Sequence, residues 1–232
     1  MLRWNVWPNV TRAQLEPIET GIGLARDYLA DALGFDIPEE RRRQIEILVS
    51  ATGTGGSCCT AGDYRLIFDV LHPEWDRPAY SSDLRSPQED QWRIAAHEYG
   101  HAWVFAGSCA TVGSWMVEGI AEYIGNQALI FAGVEDASEV RFLIERRARG
   151  AGETDVPLES LERGSLWPGH IGYLAMEWLV IQAPDGLESL ANLCIGRRSS
   201  SAKSSEEVFE KAFGISKADF YEVFSQEPFY SN

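Results

Sequence analysis

The 232-residue chain lacks any apolar run long enough to span a bilayer, which argues against an integral membrane segment. Basic residues are few: 20 Lys and Arg stand against 35 Asp and Glu, a net charge of −15. Nucleic acid and anionic membrane surfaces need the opposite footprint, so both are disfavoured as partners. No apolar stretch of about 7–15 residues follows Met1-Leu2-Arg3-Trp4, so no signal peptide is readable. A processed secreted chain would look the same, and both a cytoplasmic and a secreted location stay open. Asn9-Val10-Thr11 is a glycosylation sequon only in a secretory eukaryotic setting. The four cysteines, Cys58, Cys59, Cys109 and Cys194, include no C-x-x-C pair, which argues against a cysteine-held zinc. Disulfides and buried thiols are both compatible with them. The glycine-rich stretch Gly53–Gly62 has no Gly-Lys-Ser/Thr ending and precedes a strand pattern, so it is no phosphate loop.

What is present is a 45% hydrophobic chain, enough for one core, with only four histidines. Two of these sit in His97-Glu98-Tyr99-Gly100-His101. Ser86-Pro87-Gln88-Glu89 forms a capping box with proline at the first helical position. Apolar residues follow at Trp92, Ala95, Ala96, Tyr99, Ala102, Trp103 and Ala106, and Gly107 fits a C-cap. The pattern predicts a largely buried helix over about 87–106. On it, His97 and His101 project from one face, with the Glu98 carboxylate beside them. That is an arrangement for holding a metal and taking a proton from water.

A catalytic zinc needs a third protein ligand and one open position. The position six residues after His101 is Gly107, so no third histidine follows there. A second helix, starting near Ser114, carries Glu118 and Glu122 on one face. His72, beside Pro73, is a weaker alternative ligand.

Together, His97-Glu98-Tyr99-Gly100-His101 and Trp115-Met116-Val117-Glu118-Gly119-Ile120-Ala121 resemble the gluzincin metallopeptidases, the superfamily of thermolysin and aminopeptidase N. The resemblance covers about residues 86–125. It implies one zinc per chain held by His97, His101 and Glu118, with Glu98 as general base and Glu122 supporting a ligand histidine. It implies a peptide or protein substrate, whose extended backbone would pair with a strand edge at 64–71 or with the glycine-rich loop. The acidic motif that holds a free N-terminus in many aminopeptidases is not visible. The family's oxyanion tyrosine is replaced by glycine at Gly169, leaving His170 and Tyr173 as candidate donors, with Tyr173 preferred as a long, neutral donor. Sixteen residues, 102–117, separate His101 from Glu118, which requires a tight turn.

Elsewhere, Thr11-Arg12-Ala13-Gln14 opens a helix that ends at Gly34. Arg41-Arg42-Arg43 reads as a solvated face. Residues 44–50 and 64–71 alternate as strands. Beyond the second motif, helices are predicted over 138–149, 169–183, 186–195, 206–213 and 217–225, with a polar connector at 196–203. The expected fold is α+β, a single peptidase-like domain over 1–232. A small αβ part with a short mixed or antiparallel sheet occupies 1–108, and an all-helical part with the third ligand occupies 109–232, the site lying between them. The functional expectation is a zinc-dependent peptidase. The alternative is a metal-binding recognition domain with weak or lost hydrolysis. Oligomeric state is not readable.

Overall fold

The computed structural model describes residues 1–54, 59–62, 64–76, 85–162, 168–199 and 204–230. Expectations for Cys58, for the loops at 55–57 and 77–84, for Trp167 and for 200–203 lie outside these. Strand β1 (Arg3–Val6) leads into helix α1 (Arg12–Asp27). The Thr11 hydroxyl accepts from Gln14 N, and Gln14 Oε1 accepts from Thr11 N, closing the expected capping box. The helix continues as a π turn, Tyr28–Ala32, and stops at Gly34, whose φ is +68°. A short helix α2 (Glu39–Arg42) precedes strand β2 (Glu46–Ser50), and then come β3 (Cys59–Gly62) and β4 (Arg65–Asp69). A short helix α3 (Pro73–Asp76) is followed by α4 (Pro87–Gly107) and α5 (Ser114–Phe131).

The expected α+β fold with a mixed or antiparallel sheet needs correction. The described chain is mostly helical, and the body of its sheet is parallel. Strand order is β1-β2-β4-β3; β1, β2 and β4 run parallel, and β3 alone is antiparallel, at the edge. The cause is the connections. Helix α1 carries the chain back from β1 to β2, as parallel neighbours require, and β4 inserts between β2 and β3. The two strands read from alternation do form, with Ile47, Val49, Leu66 and Phe68 wholly buried. They pair with each other side by side, Ile47 opposite Leu66 and Val49 opposite Phe68.

Contacts divide the chain into two units. The first comprises 1–107 and 124–136: the sheet, α1, α4 and the second half of α5. Its core sets α1 against α4 and the buried strand faces.

The second unit comprises 108–123 and 137–232. It is helical: the first half of α5, then α6 (Ala137–Gly150), α7 (Gly169–Gln182), α8 (Glu188–Ser199), α9 (Ser205–Phe213) and α10 (Lys217–Phe224), with 3-10 turns at Glu153–Asp155, Leu158–Glu162 and Pro228–Tyr230. The first four residues of the expected polar connector, 196–199, are the last turn of α8. A cluster of rings, Trp115, Trp178, Phe209, Phe220 and Phe224, fills its core. Cys109 and Cys194 form a disulfide, and Ala110 N donates to Leu193 O at 3.1 Å beside it. Helices α5 and α7 cross where two glycines meet. A Cβ on Gly172 would lie 2.7 Å from Trp115 O and 2.8 Å from Gly119 Cα, closer than real contacts allow. Gly172→Ala should therefore cost about 1–3 kcal/mol, the scale of overpacking, and lower the unfolding temperature by several degrees. Calorimetry or denaturant unfolding reads this directly; a silent substitution would mean the crossing is looser than described.

Candidate metal centre

Helix α4 forms where the capping box and apolar stripe place it. Ser86 N donates to Glu89 Oε2 at 2.7 Å and Glu89 N to Ser86 Oγ at 3.3 Å. Its end differs by one residue. Gly107 is still helical, and Ser108 takes the left-handed turn at φ +54°.

One side of α4 is anchored by polar groups. The Tyr99 hydroxyl donates to Asp36 Oδ1 at 3.0 Å, Trp103 Nε1 to Phe35 O at 2.9 Å, and Arg41 Nη1 to Ala106 O at 2.6 Å. Burial, reinforced by Asp36, pushes the Tyr99 phenol's pKa up, so it serves as a neutral donor.

His97, Glu98 and His101 are 7%, 7% and 8% exposed. The two imidazoles stand nearly perpendicular, at 87°, with their Nε2 atoms 3.1 Å apart. Two nitrogens on one tetrahedral zinc, each at 2.0–2.1 Å, would be separated by about 3.3 Å. The observed spacing thus suits a shared ion. The His101 ring also stacks on Phe105 at 6.2 Å.

Helix α5 brings the third group. Ligand atoms of His97, His101 and Glu118 all lie within 4.8 Å of one another, a cluster that could hold a metal ion. Seven residues after Glu118 on the same helix, Gly125 rests on the backbone of α4. A Cβ there would be 3.1 Å from Arg93 O and 3.2 Å from His97 N and Cβ. Any larger residue would crowd the turn that carries the first histidine. Glu122 has no exposed surface, so it is an interior carboxylate and no solvated helix residue.

The remaining candidates separate. His72 Nδ1 accepts from Glu74 N at 3.2 Å, a local turn, and His72 is no member of the cluster. Tyr173 is wholly buried. Its hydroxyl donates to Glu177 Oε1 at 3.4 Å, and Glu177 in turn receives Arg141 at 2.6 Å. His170 lies in the first turn of α7, two residues before the Gly172 contact with Gly119, the neighbour of Glu118. Its Nδ1 is 2.7 Å from Glu153 Oε1, while Glu153 Oε2 accepts from Ile171 N at 2.7 Å. Glu153 is completely buried. Sequence reasoning passed it over, because a single glutamate in a polar stretch carries no periodic signal. The chain matches no protein-family model, and no curated protein matches it. Among the described residues no helix is long and apolar enough to cross a membrane.

The purified chain should take up close to one equivalent of metal, read by elemental analysis. His97→Ala or His101→Ala should each remove most of it, because two remaining ligands bind far more weakly. Full metal content in both variants would place the ion elsewhere.

Proposed function

We propose that the chain is a zinc-dependent peptidase of the gluzincin type. The observation that carries this reading is the meeting of two imidazole nitrogens and a carboxylate within 4.8 Å, beside the buried Glu98. Two neutral imidazoles and one carboxylate with an open position suit zinc, and they also accept cobalt or manganese. His97, His101 and Glu118 would hold the ion. Bound zinc would supply a Lewis acid that acidifies water and polarises a scissile carbonyl.

The chain's own groups divide the remaining work. Glu98 takes a proton from the attacking water and delivers it to the leaving amine. Protonated on both nitrogens, with Nδ1–H donating to Glu153 Oε1, which orients the ring, His170 donates Nε2–H to the developing oxyanion. The engagement of the Tyr173 hydroxyl with Glu177 favours His170 over Tyr173 for this role. An extended peptide would pair with the outer edge of β3, which packs alongside α4. The other strand considered for this, β4, has a neighbour on each side, β2 and β3.

Turnover of a fluorogenic mixed-peptide library, abolished by a chelator, is the test. Glu98→Gln should keep its metal while turnover falls by roughly 10²–10⁴-fold. Metal loss in that variant would make Glu98 a ligand or a structural residue. A metal-loaded chain that cleaves no library peptide would point instead to a recognition domain.

His170→Ala should lower kcat by roughly 10²-fold with metal content unchanged, the scale of one lost oxyanion donor. Tyr173→Phe should leave kcat near that of the unsubstituted chain. The reverse pattern would reassign the donor to Tyr173.

A further inference from the structure

Five polar side chains meet out of solvent where α4 begins and α5 ends. Asp90 and Asn126 have no exposed surface, and Arg85 and Arg93 are 7% and 6% exposed. Arg85 Nη2 donates to Asn126 Oδ1 at 2.7 Å and to Glu135 Oε2 at 2.7 Å, and its Nε donates to the same carboxylate. Arg85 Nη1 and Arg93 Nε each lie 3.7 Å from Asp90 Oδ1.

Withdrawing four charged groups from water is expensive, and well-packed apolar residues commonly hold helices together at least as firmly. What this set adds is direction. The guanidinium fork of Arg85 meets the Asn126 amide oxygen and the Glu135 carboxylate together only in one register. The members also sit at a telling place. Asn126 follows Gly125, the residue pressed against His97, and Arg93 lies one helical turn before His97, its carbonyl under the same glycine. The cluster therefore grips α4 and α5 at the turn where α5 touches the histidine. Glu118 is carried on α5 about 10 Å of helix before that turn. A slip of one residue in register would rotate it by about 100°.

We propose that the Arg85–Asp90–Arg93–Asn126–Glu135 cluster is a positioning device for the metal centre, locking the register of α5 on α4 and thereby the setting of the ligand side chains. The proposal rests on the metal-site reading above. None of the five residues is assigned as a ligand or an acid–base group; they act through the helices.

The test uses the whole chain loaded with Co²⁺. Three quantities are read for each variant: cobalt affinity by competition with a chromophoric chelator, the visible absorption of the bound ion, and the unfolding temperature of the metal-free chain. Arg85→Gln and Asn126→Leu should weaken cobalt binding by about 10–100-fold, the range for residues that orient ligands, and should alter the absorption band. Arg85→Lys, which keeps the charge and loses the fork, should fall between Arg85→Gln and the unsubstituted chain. Glu135→Gln, a milder change, should shift both readouts in the same direction and serves if Arg85→Gln does not fold. Lower unfolding temperatures with unchanged affinity and absorption would make the cluster purely structural and overturn the proposal. If the unsubstituted chain takes up no cobalt that His97→Ala removes, the metal-site reading itself falls, and the proposal with it.

Discussion

A glycine pressed against the backbone of a histidine sets the spacing on which the candidate centre depends. Gly125 lets α5 approach α4 to backbone contact at His97. On its other side, α4 is tied to the Phe35-Asp36 segment through Trp103 and Tyr99. The helix is thus fixed from two directions, and its histidines are fixed with it. Two imidazoles already 3.1 Å apart at Nε2 need little reorganisation to share an ion, so binding energy is not spent on assembling the site.

Interior carboxylates recur in both units, each on or beside a helix that bears a candidate functional residue. Asp90 is one turn before Arg93 on α4, Glu122 one turn after Glu118 on α5, and Glu153 faces the first turn of α7. Glu153 shows how such a group is kept. One oxygen takes the His170 ring and the other a backbone N–H that the start of a helix would otherwise leave unsatisfied. A buried carboxylate without such partners would be costly enough to disrupt its surroundings.

The helices were legible in the sequence where local signals coincide. Helix α4 has a capping box, a proline at its first position and an apolar stripe, and all three point to one start; α9 and α10 form where 206–213 and 217–225 were expected, capped by Ser204 and Ser216. The His97–His101 pair of the candidate cluster was legible for the same reason, since its spacing is a helical one, whereas Glu118 was expected from the family resemblance. The sheet was not. β1 is four residues long with Trp4 partly exposed, too short for alternation to register. The parallel pairing of β2 with β4 is decided by what the intervening chain does, which no local pattern encodes. Arg85 and Glu153 escaped notice because a buried charge looks, in a sequence, like any surface charge. The sequence preferred Tyr173 over His170 as a donor because it does not show that Glu177 meets the tyrosine hydroxyl, the contact on which the proposed preference for His170 rests.

The Cys109–Cys194 disulfide makes a covalent ring of the chain between its two ends, 85 positions apart. In a chain-entropy picture such a ring removes about 4–5 kcal/mol of freedom from the unfolded chain. Topology adds something that entropy does not express. Glu118, Glu122, Glu153 and His170 all lie inside the ring. A single cut anywhere within it yields two pieces that cannot drift apart, with these side chains still tethered through Cys109 and through Cys194 on α8. That is tolerance of damage: a nicked molecule stays one molecule for as long as the sulfurs stay joined.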